Sequence, residues 1–437
     1  MRFLIKNIIL LFIFSGVFSQ ATAQYLSAEQ AVAIALENNY SIRLSQMNES
    51  ILENNVTLGN AGFLPEVEGS ANRNNSITNT RQEYLSGQEN TRDNAKASSL
   101  NAGVGMDWTL FDGLQMFTGY DILKKNLEAG KLQTRLEVEN TISNVLSLYY
   151  NIVELKQKVK MLEASVSLGR ARSNIADEKL AIGAGSRLEL LQARVDMNSD
   201  ISNLLNLNDL ITEATVRMNL LLARNADVVF TVEDTIILMP PADFTTLKSQ
   251  MEKNNVNLLL SQSDLELANL NLKLIKGTRY PEIGVNMGYN YNQQESESGF
   301  VKYGRSDGFN YGLTATVPIF DGFNKNREIK NARIGFEVAA LQHESYMADL
   351  QAELHATYIV YNNKLKTVEL ERENMQTAFT NFDIANERFR LGELSGIEIR
   401  EAQQNLLAAQ DRLITLVYEA RLLEIELLQL SGGILPD

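Results

Sequence analysis

The chain of 437 residues contains no cysteine and only two histidines. The missing cysteine excludes disulfides, thiolate metal sites, a thiol nucleophile and an N-terminal lipid-modified cysteine. His343 and His355 lie twelve residues apart in a helical stretch, and we interpret them as packing or surface residues. The sequence shows no nucleophile–base pair, metal cluster or phosphate-binding loop. We therefore expect neither a cofactor nor an enzymatic activity.

Positive charge is also scarce, because 40 Lys and Arg residues face 54 Asp and Glu residues, for a net charge of −14. Phosphate binding needs concentrated positive charge, so nucleic acid is not expected as a partner. An acidic balance instead fits a solvated surface or an acidic lumen.

Long apolar runs are missing, apart from a short one over residues 8–18. That run follows Arg2 and Lys6 and precedes Ala21-Thr22-Ala23, which is the pattern of a secretory signal peptide. We expect residues 1–23 to be this signal peptide, with a mature chain beginning near Gln24. The sequence predicts an exported protein without a transmembrane helix.

An internal repeat organises the sequence. The segment WTLFDG at residues 108–113 reappears as VPIFDG at 317–322, a shift of 209 positions. The same shift relates EKLAIG at 178–183 to ERFRLG at 387–392, and the pattern S-x-x-E at 186–189 to the same pattern at 395–398. Upstream, FLPE at 63–66 matches RYPE at 279–282 at a shift of 216, so a loop must absorb seven residues.

Each half has the same plan of helix, two strands, a very long helix and a further helix. We expect a first structural repeat over residues 24–230, a linker or equatorial segment over 231–242 and a second repeat over 243–437. The expected helices cover about 27–60, 114–182 and 187–223, then 243–277, 323–391 and 397–431; strands are expected within 64–110 and 280–320. All six prolines fall at these boundaries. The long helices would each extend roughly 100 Å at 1.5 Å per residue.

The last helix of each half carries an apolar heptad. Ten positions from Ile399 to Leu430 alternate steps of three and four, and the equivalent positions from Leu190 to Leu221 are apolar except for Asp200. A sustained period of 3.5 residues predicts supercoiled packing against neighbouring helices.

Residues 283–291, 309–319 and 100–110 alternate apolar with small or polar side chains, and residues 67–71 do so more weakly. Segments of about ten residues with one apolar face match membrane-barrel strands, although a half-buried soluble sheet shows the same alternation. The polar segments between the strands, about 76–98 and 292–306, predict exposed outer loops.

Four strands cannot form a closed barrel alone, and open sheet edges are not tolerated in lipid. Eight strands make a barrel whose interior is filled by side chains. If these strands lie in a membrane, three chains and twelve strands are therefore expected to enclose an open lumen.

The sequence resembles the TolC-like outer-membrane efflux protein family, the outer membrane factors of tripartite efflux and secretion systems. The resemblance covers nearly all of the mature chain. It rests on the duplicated plan, the [TP]-[LI]-F-D-G strand ends at 109–113 and 318–322, and the turn at 389–395 leading into residues 397–402.

This resemblance implies a mainly α protein with a membrane β-barrel portion, in which a homotrimer forms a twelve-stranded β-barrel on a long α-helical coiled-coil barrel. It implies a passive exit duct in the outer membrane, with a long periplasmic extension. The implied partners are outer-membrane lipid, a periplasmic adaptor protein and an inner-membrane transporter.

The resemblance also places the two interhelical turns at a periplasmic tip that meets the adaptor. The residues concerned are Gly183, Ala184, Gly185, Ser186 and Arg187 in the first turn, and Leu391, Gly392, Glu393, Leu394, Ser395 and Gly396 in the second. It further implies a constriction by acidic side chains, for which Glu189, Glu398 and Glu401 are the candidates. Glu189 and Glu398 also complete S-x-x-E capping boxes, which would explain them without a gate. Glu401 caps nothing and is the better candidate.

Two other architectures compete with this reading. A simple porin would need many more strands and a chain that ends in a strand, whereas this chain ends in a predicted helix. The main alternative is a soluble periplasmic coiled-coil structural or adaptor protein.

Overall fold

The computed structural model describes residues 24–240, 242–298 and 300–435, so the expected signal peptide lies outside the described residues. In the first half the elements are β1 (Gln24–Tyr25), α1 (Ala28–Asn38), α2 (Tyr40–Asn55), β2 (Glu66–Glu83), β3 (Glu89–Phe111), α3 (Gln115–Ala181), α4 (Arg187–Leu221) and β4 (Phe230–Thr231). In the second half they are α5 (Phe244–Asn254), α6 (Val256–Gly277), β5 (Glu282–Ser296), β6 (Tyr303–Thr316), α7 (Asn324–Arg390) and α8 (Gly396–Ser431).

The predicted fold class is confirmed. The chain is mainly helical, and α3 and α7 have 67 residues each. Two helices, two long strands, a very long helix and a further helix follow one another twice along the chain. Among the described residues, no helix combines the length and the apolar composition needed to cross a membrane.

Two compact units divide the chain, and each contains segments from both halves of the sequence. One unit holds the described residues up to Asn39, together with Thr141–Pro241 and Val360–Ile425. The other holds Tyr40–Asn140, Ala242–Ile359 and the residues from Glu426 onward. The interhelical turns lie in the first unit and the long strands in the second.

The first helix of each half is broken, which corrects the expectation of single helices over 27–60 and 243–277. The breaks fall at Asn39 and Asn255, which are equivalent under the shift of 216. Asn39 Nδ2 donates to the carbonyl of Leu221 at 2.9 Å, and Asn255 Nδ2 donates to that of Leu430 at 3.0 Å. Each asparagine thus satisfies a carbonyl at the end of the last helix of its half, where no intrahelical donor remains.

The long strands form one antiparallel sheet in the order β2-β3-β5-β6. The register aligns the alternating side chains into rows across the sheet. Examples of apolar rows are Val67, Met106, Met287 and Tyr311, then Val104, Tyr289 and Phe309, then Trp108, Val285 and Leu313. The opposite face carries Asn, Gly, Thr and acidic side chains.

The apolar rows remain open to solvent in the single chain. Leu313 is 71% exposed and Tyr311 is 78% exposed, although both belong to the apolar face. The apolar residues of β5 run from Ile283 to Tyr291, which is about 27 Å at 3.4 Å per residue. The sheet therefore has one continuous apolar band about as tall as the apolar part of a bilayer once strand tilt is included.

The segments expected to be outer loops are mostly strand, which corrects that prediction. β2 and β3 pair as far as Glu83 and Glu89, and β5 and β6 pair as far as Glu295 and Tyr303. Beyond the apolar band neither face of the sheet is apolar. The alternation of apolar and polar residues therefore disappears from the sequence, although the backbones of the strands remain paired. Alternation of apolar and polar residues indicates that one face of a strand is apolar. It does not indicate how far the backbone pairing of the strand extends.

Candidate functional site

The two interhelical turns have the same backbone geometry. A glycine with positive φ lies two residues beyond the end of each long helix: Gly183 at +77° after α3, and Gly392 at +80° after α7. The N–H of Ala184 donates to the carbonyl of Lys179 at 2.8 Å, and that of Glu393 donates to the carbonyl of Arg388 at 2.9 Å. Glycine tolerates this left-handed conformation, and these bonds satisfy carbonyls at the helix end.

A serine precedes the first residue of the helix after each turn, but its capping hydrogen bonds differ between the two turns. Ser395 Oγ accepts from the N–H of Glu398 at 3.3 Å, and Glu398 Oε2 accepts from the N–H of Ser395 at 2.9 Å. These bonds form a complete capping box. At the first turn Ser186 Oγ accepts from the N–H of Glu189 at 3.1 Å. The Glu189 carboxylate instead lies beside Gly396, where a Cβ atom would come within 3.3 Å of its Oε1.

The capping box stabilises the charged form of the Glu398 side chain. Hydrogen bonds from the side chain and the backbone N–H of Ser395 hold the pKa of Glu398 below its usual range. Glu398 therefore remains an anion down to unusually low pH, with its carboxylate engaged at the helix start. Glu401, one turn further along α8, is exposed and has no hydrogen-bond or ion-pair partner among the described residues.

A pocket of about 720 Å³ brings two of the three predicted acidic residues together. Its lining includes Glu189, Glu401, Ser186 and Ser395, together with Gln192, the residue equivalent to Glu401 in the first repeat. Glu398 does not line this pocket. Of the three gate candidates, Glu189 and Glu401 share the pocket surface, whereas Glu398 serves the cap.

The pocket wall also contains Arg172, Asp196 and Arg400, which belong to a buried network of charged and polar groups that the sequence did not predict. Arg400 of α8 makes a bidentate ion pair with Asp200 of α4, with both N–O distances at 2.9 Å. Asp200 also accepts from Ser165 Oγ at 2.6 Å, and Gln403 donates to the same hydroxyl at 2.8 Å. An adjacent ion pair joins Arg172 to Asp196.

Asp200 is charged although only 4% of its surface is exposed. Burial alone would raise the pKa of Asp200, but hydrogen bonds from Arg400 and Ser165 and the charge of Arg400 outweigh it and lower the pKa. The network therefore ties α3, α4 and α8 together by charge-assisted hydrogen bonds. Asp200 is the polar exception in the heptad, and that exception was the sequence signal for a buried polar partner.

Comparisons with known proteins agree with this arrangement. The family model for outer membrane efflux proteins matches residues 31–224 and 247–433. The outer membrane efflux protein BepC of Brucella suis is 19% identical over 413 residues, covering 93% of this chain and 85% of BepC. The cation efflux system protein CusC of Escherichia coli is 20% identical over 420 residues, covering 92% of this chain and 85% of CusC.

Solved structures share the fold. The Campylobacter jejuni CmeC outer membrane channel superposes with a TM-score of 0.77 at 17% identity, covering 93% of this chain and 85% of CmeC. A crystal structure of CusC superposes with a TM-score of 0.75 at 18% identity, covering 93% of this chain and 92% of the CusC chain.

The exposed apolar sheet and the duplicated long helices define an outer-membrane channel protein of an export system. The chain belongs to the outer membrane efflux protein family. Its location is the outer membrane, and its function is to provide an exit duct for exported molecules.

Proposed function

We propose that three copies of the chain close their sheets into one twelve-stranded barrel, which forms a passive duct joined to a periplasmic adaptor and an inner-membrane transporter. The observation that carries the proposal is the registered apolar face, which is exposed across all four strands of the single chain. A soluble coiled-coil protein would leave this whole face in water, which costs free energy in proportion to its area.

Both edges of the sheet support association of several copies. Within the described residues, β2 pairs only with β3 and β6 pairs only with β5. Unpaired backbone groups in lipid are costly, so β6 of one copy must pair with β2 of the next until the barrel closes. Two copies would give a filled barrel of eight strands, while three copies give an open lumen.

Apolar stripes on the helices are further contacts for neighbouring copies. On α2, Leu44, Met47 and Ile51 are each more than half exposed, and on α7 so is Leu341. The spacing of three and four residues places the three α2 side chains on one face of that helix. Such a stripe is expected to pack against another helix in the assembled duct.

The interhelical turns are the proposed docking site for the adaptor. Ile182 and Leu391 occupy equivalent positions at the helix ends and are 78% and 74% exposed. Leu188 and Ile397 are also equivalent and are 77% and 75% exposed. Three copies would present six such turns, and exposed apolar groups grouped with polar ones are typical of a protein-binding surface.

Glu401 is the proposed acidic constriction at the duct entrance. Three copies around a threefold axis would place three unpartnered carboxylates in one ring, which favours cations and binds divalent ions weakly. We expect Glu401→Gln to lower cation over anion selectivity about two- to fivefold and to weaken block by divalent ions. Single-channel recordings in planar bilayers measure both quantities.

Two further variants make this experiment specific. Gln192→Glu adds the missing acid at the equivalent position of the first repeat, so it should increase cation selectivity. Glu398→Gln removes an acid that is engaged by its cap, so it should change selectivity much less than Glu401→Gln. Unchanged selectivity and divalent-ion block in Glu401→Gln would contradict a gate role for this residue.

A further inference from the structure

The second strand-to-helix junction of the chain carries an unexpected excess of positive charge. Residues 273–282 and 317–333 contain seven basic residues and three acidic ones. The equivalent segments of the first repeat, 57–66 and 108–124, contain one basic residue and three acidic ones. The two junctions come from the same duplicated plan, so the fold itself does not require this charge.

Two of the basic residues also oppose the preference of the helix that carries them. Lys325 and Arg327 lie in the first turn of α7, which contains no acidic residue, and Lys330 and Arg333 follow within the next two turns. Cations near a helix N-terminus face the positive end of the helix dipole and are unfavourable there. A second group of cations, Lys276 and its neighbours, lies at the end of α6.

Contacts join these two groups into one surface, which we call the basic collar and define by the residues Lys276, Arg279, Lys325, Arg327, Lys330 and Arg333. Lys325 Nζ donates to the carbonyl of Thr278 at 2.5 Å, and Arg279 Nη2 donates to Asn326 Oδ1 at 2.5 Å. Both bonds link the end of α6 to the beginning of α7.

Most of the charge in the basic collar is not neutralised by the chain itself. Arg327 approaches Glu328 at 3.4 Å, and both side chains are about half exposed or more. Lys330 and Arg333 are exposed, and neither makes an ion pair within the described residues. By contrast, Lys124, the one basic residue of the first junction, forms an ion pair with Asp121 at 2.7 Å.

Exposed apolar side chains adjoin the basic collar on the side of the sheet. Ile319 is 96% exposed, Phe320 is 75% exposed and Phe323 is 68% exposed. Gly322 and Phe323 both have positive φ, at 69° and 64°. The equivalent Gly113 and Leu114 of the first repeat also have positive φ, so this turn belongs to the duplicated fold and only the charge differs between the junctions. An apolar band followed by cations is the pattern of a membrane–water interface.

We propose that the basic collar binds the phosphate groups of anionic phospholipids in the periplasmic leaflet of the outer membrane. This inference rests on the proposed barrel, which places the helix-connected end of the sheet at that leaflet. From Lys325 to Arg333 the helix rises about 12 Å at 1.5 Å per residue. That distance exceeds the roughly 8 Å over which charges act at physiological ionic strength, but the long side chains of lysine and arginine can carry their charged ends back toward the headgroups.

The single tryptophan of the chain provides the measurement. Trp108 lies on the apolar face of β3, near the same end of the sheet, and is 39% exposed. Brominated lipids quench tryptophan fluorescence on contact, so competition between brominated phosphatidylglycerol and ordinary phosphatidylcholine in vesicles reports the relative affinity for the anionic lipid. We expect a preference for phosphatidylglycerol of about fivefold that weakens in high salt.

The test variant combines Arg327→Gln, Lys330→Gln and Arg333→Gln, and its lipid preference should fall to about one. The control variant combines Arg73→Gln, Arg92→Gln and Lys96→Gln, which removes the same charge from exposed positions on the β2–β3 hairpin. It should keep the full preference. Equal loss in both variants, or no preference in the natural chain, would overturn the proposal.

Two readouts separate this inference from the proposed duct. Heat-sensitive trimers on gels and quenching by brominated phosphatidylcholine show whether the protein assembles and enters the bilayer. If both fail in the natural chain, the proposed barrel is wrong. If only the test variant loses its trimer, the cations pair with acidic groups of a neighbouring copy, and the lipid assignment is wrong.

Discussion

Asp200→Ala is expected to lower the free energy of unfolding by about 3–5 kcal/mol, because it leaves Arg400 buried without its bidentate partner. The side chain of Arg400 is 13% exposed, and its remaining carboxylate neighbour, Asp196, lies 3.8 Å away. The hydroxyl of Ser165 would lose its acceptor in the same step. Denaturant unfolding of the detergent-solubilised protein, followed by helical circular dichroism, measures the change.

The chain offers a matched control on the same helices. Arg194 of α4 and Asp177 of α3 form an ion pair at 3.7 Å, and both side chains are more than half exposed. Water screens such a pair, so Asp177→Ala should cost less than about 1 kcal/mol. A similar effect of the two substitutions would show that the Asp200 network contributes no more than a surface pair.

The same network predicts a pH dependence. The pKa of Asp200 is lowered from its ordinary value of 3.8, so the stability it contributes is fully present above that value. It is lost as pH falls through the lowered pKa, when the folded protein takes up the proton. The stability difference between the natural chain and Asp200→Ala should therefore be constant from pH 7 to 5 and shrink only below pH 4.

The second large effect concerns the apolar face of the sheet. Leu313→Arg places a charge on β6 in the proposed lipid-facing band and should cost about 2–4 kcal/mol per copy, less toward the interface. Thr314→Arg, one residue further along the strand, points to the opposite face and should be tolerated in a water-filled lumen. The measurement is the amount of heat-sensitive trimer in outer-membrane detergent extracts.

We expect at least a tenfold loss of trimer for Leu313→Arg and nearly natural levels for Thr314→Arg, because each 1.4 kcal/mol is tenfold in an equilibrium constant. Both variants place an arginine on the same strand at neighbouring positions, so the effect of the strand propensity of arginine largely cancels between them. Equal tolerance of both substitutions would show that this face does not lie in lipid.

Local patterns were enough to predict much of the fold. The alternation in residues 283–291 and 309–319 predicted two strands with the face that the register confirms. The repeated Gly and Ser residues predicted both interhelical turns, because glycine C-caps and serine N-caps act over a few residues. These signals are local, and a single sequence contains them completely.

The remaining features depend on residues that are distant in the chain. Asp200 and Arg400 are separated by 200 positions, and only the packing of α4 against α8 brings them together. The helix breaks at Asn39 and Asn255 likewise serve the carbonyls of Leu221 and Leu430. The polar extension of β2 and β3 has no alternating signal because neither of its faces is apolar.

The duct itself is tested most directly by cross-linking the two edge strands between copies. The chain has no cysteine, so Ser70→Cys on β2 and Ser306→Cys on β6 introduce the only thiols. Both positions are exposed on the polar face, and within one chain β2 and β6 lie three strand spacings apart, or roughly 14 Å. A bismaleimide spanning about 8 Å is shorter than that separation, so it should join different copies rather than the two edges of one sheet.

We predict a ladder of cross-linked products that ends at three chains, with the three-chain product dominant in outer-membrane extracts. A ladder that ends at two chains, or that continues beyond three, would contradict the proposed twelve-stranded duct.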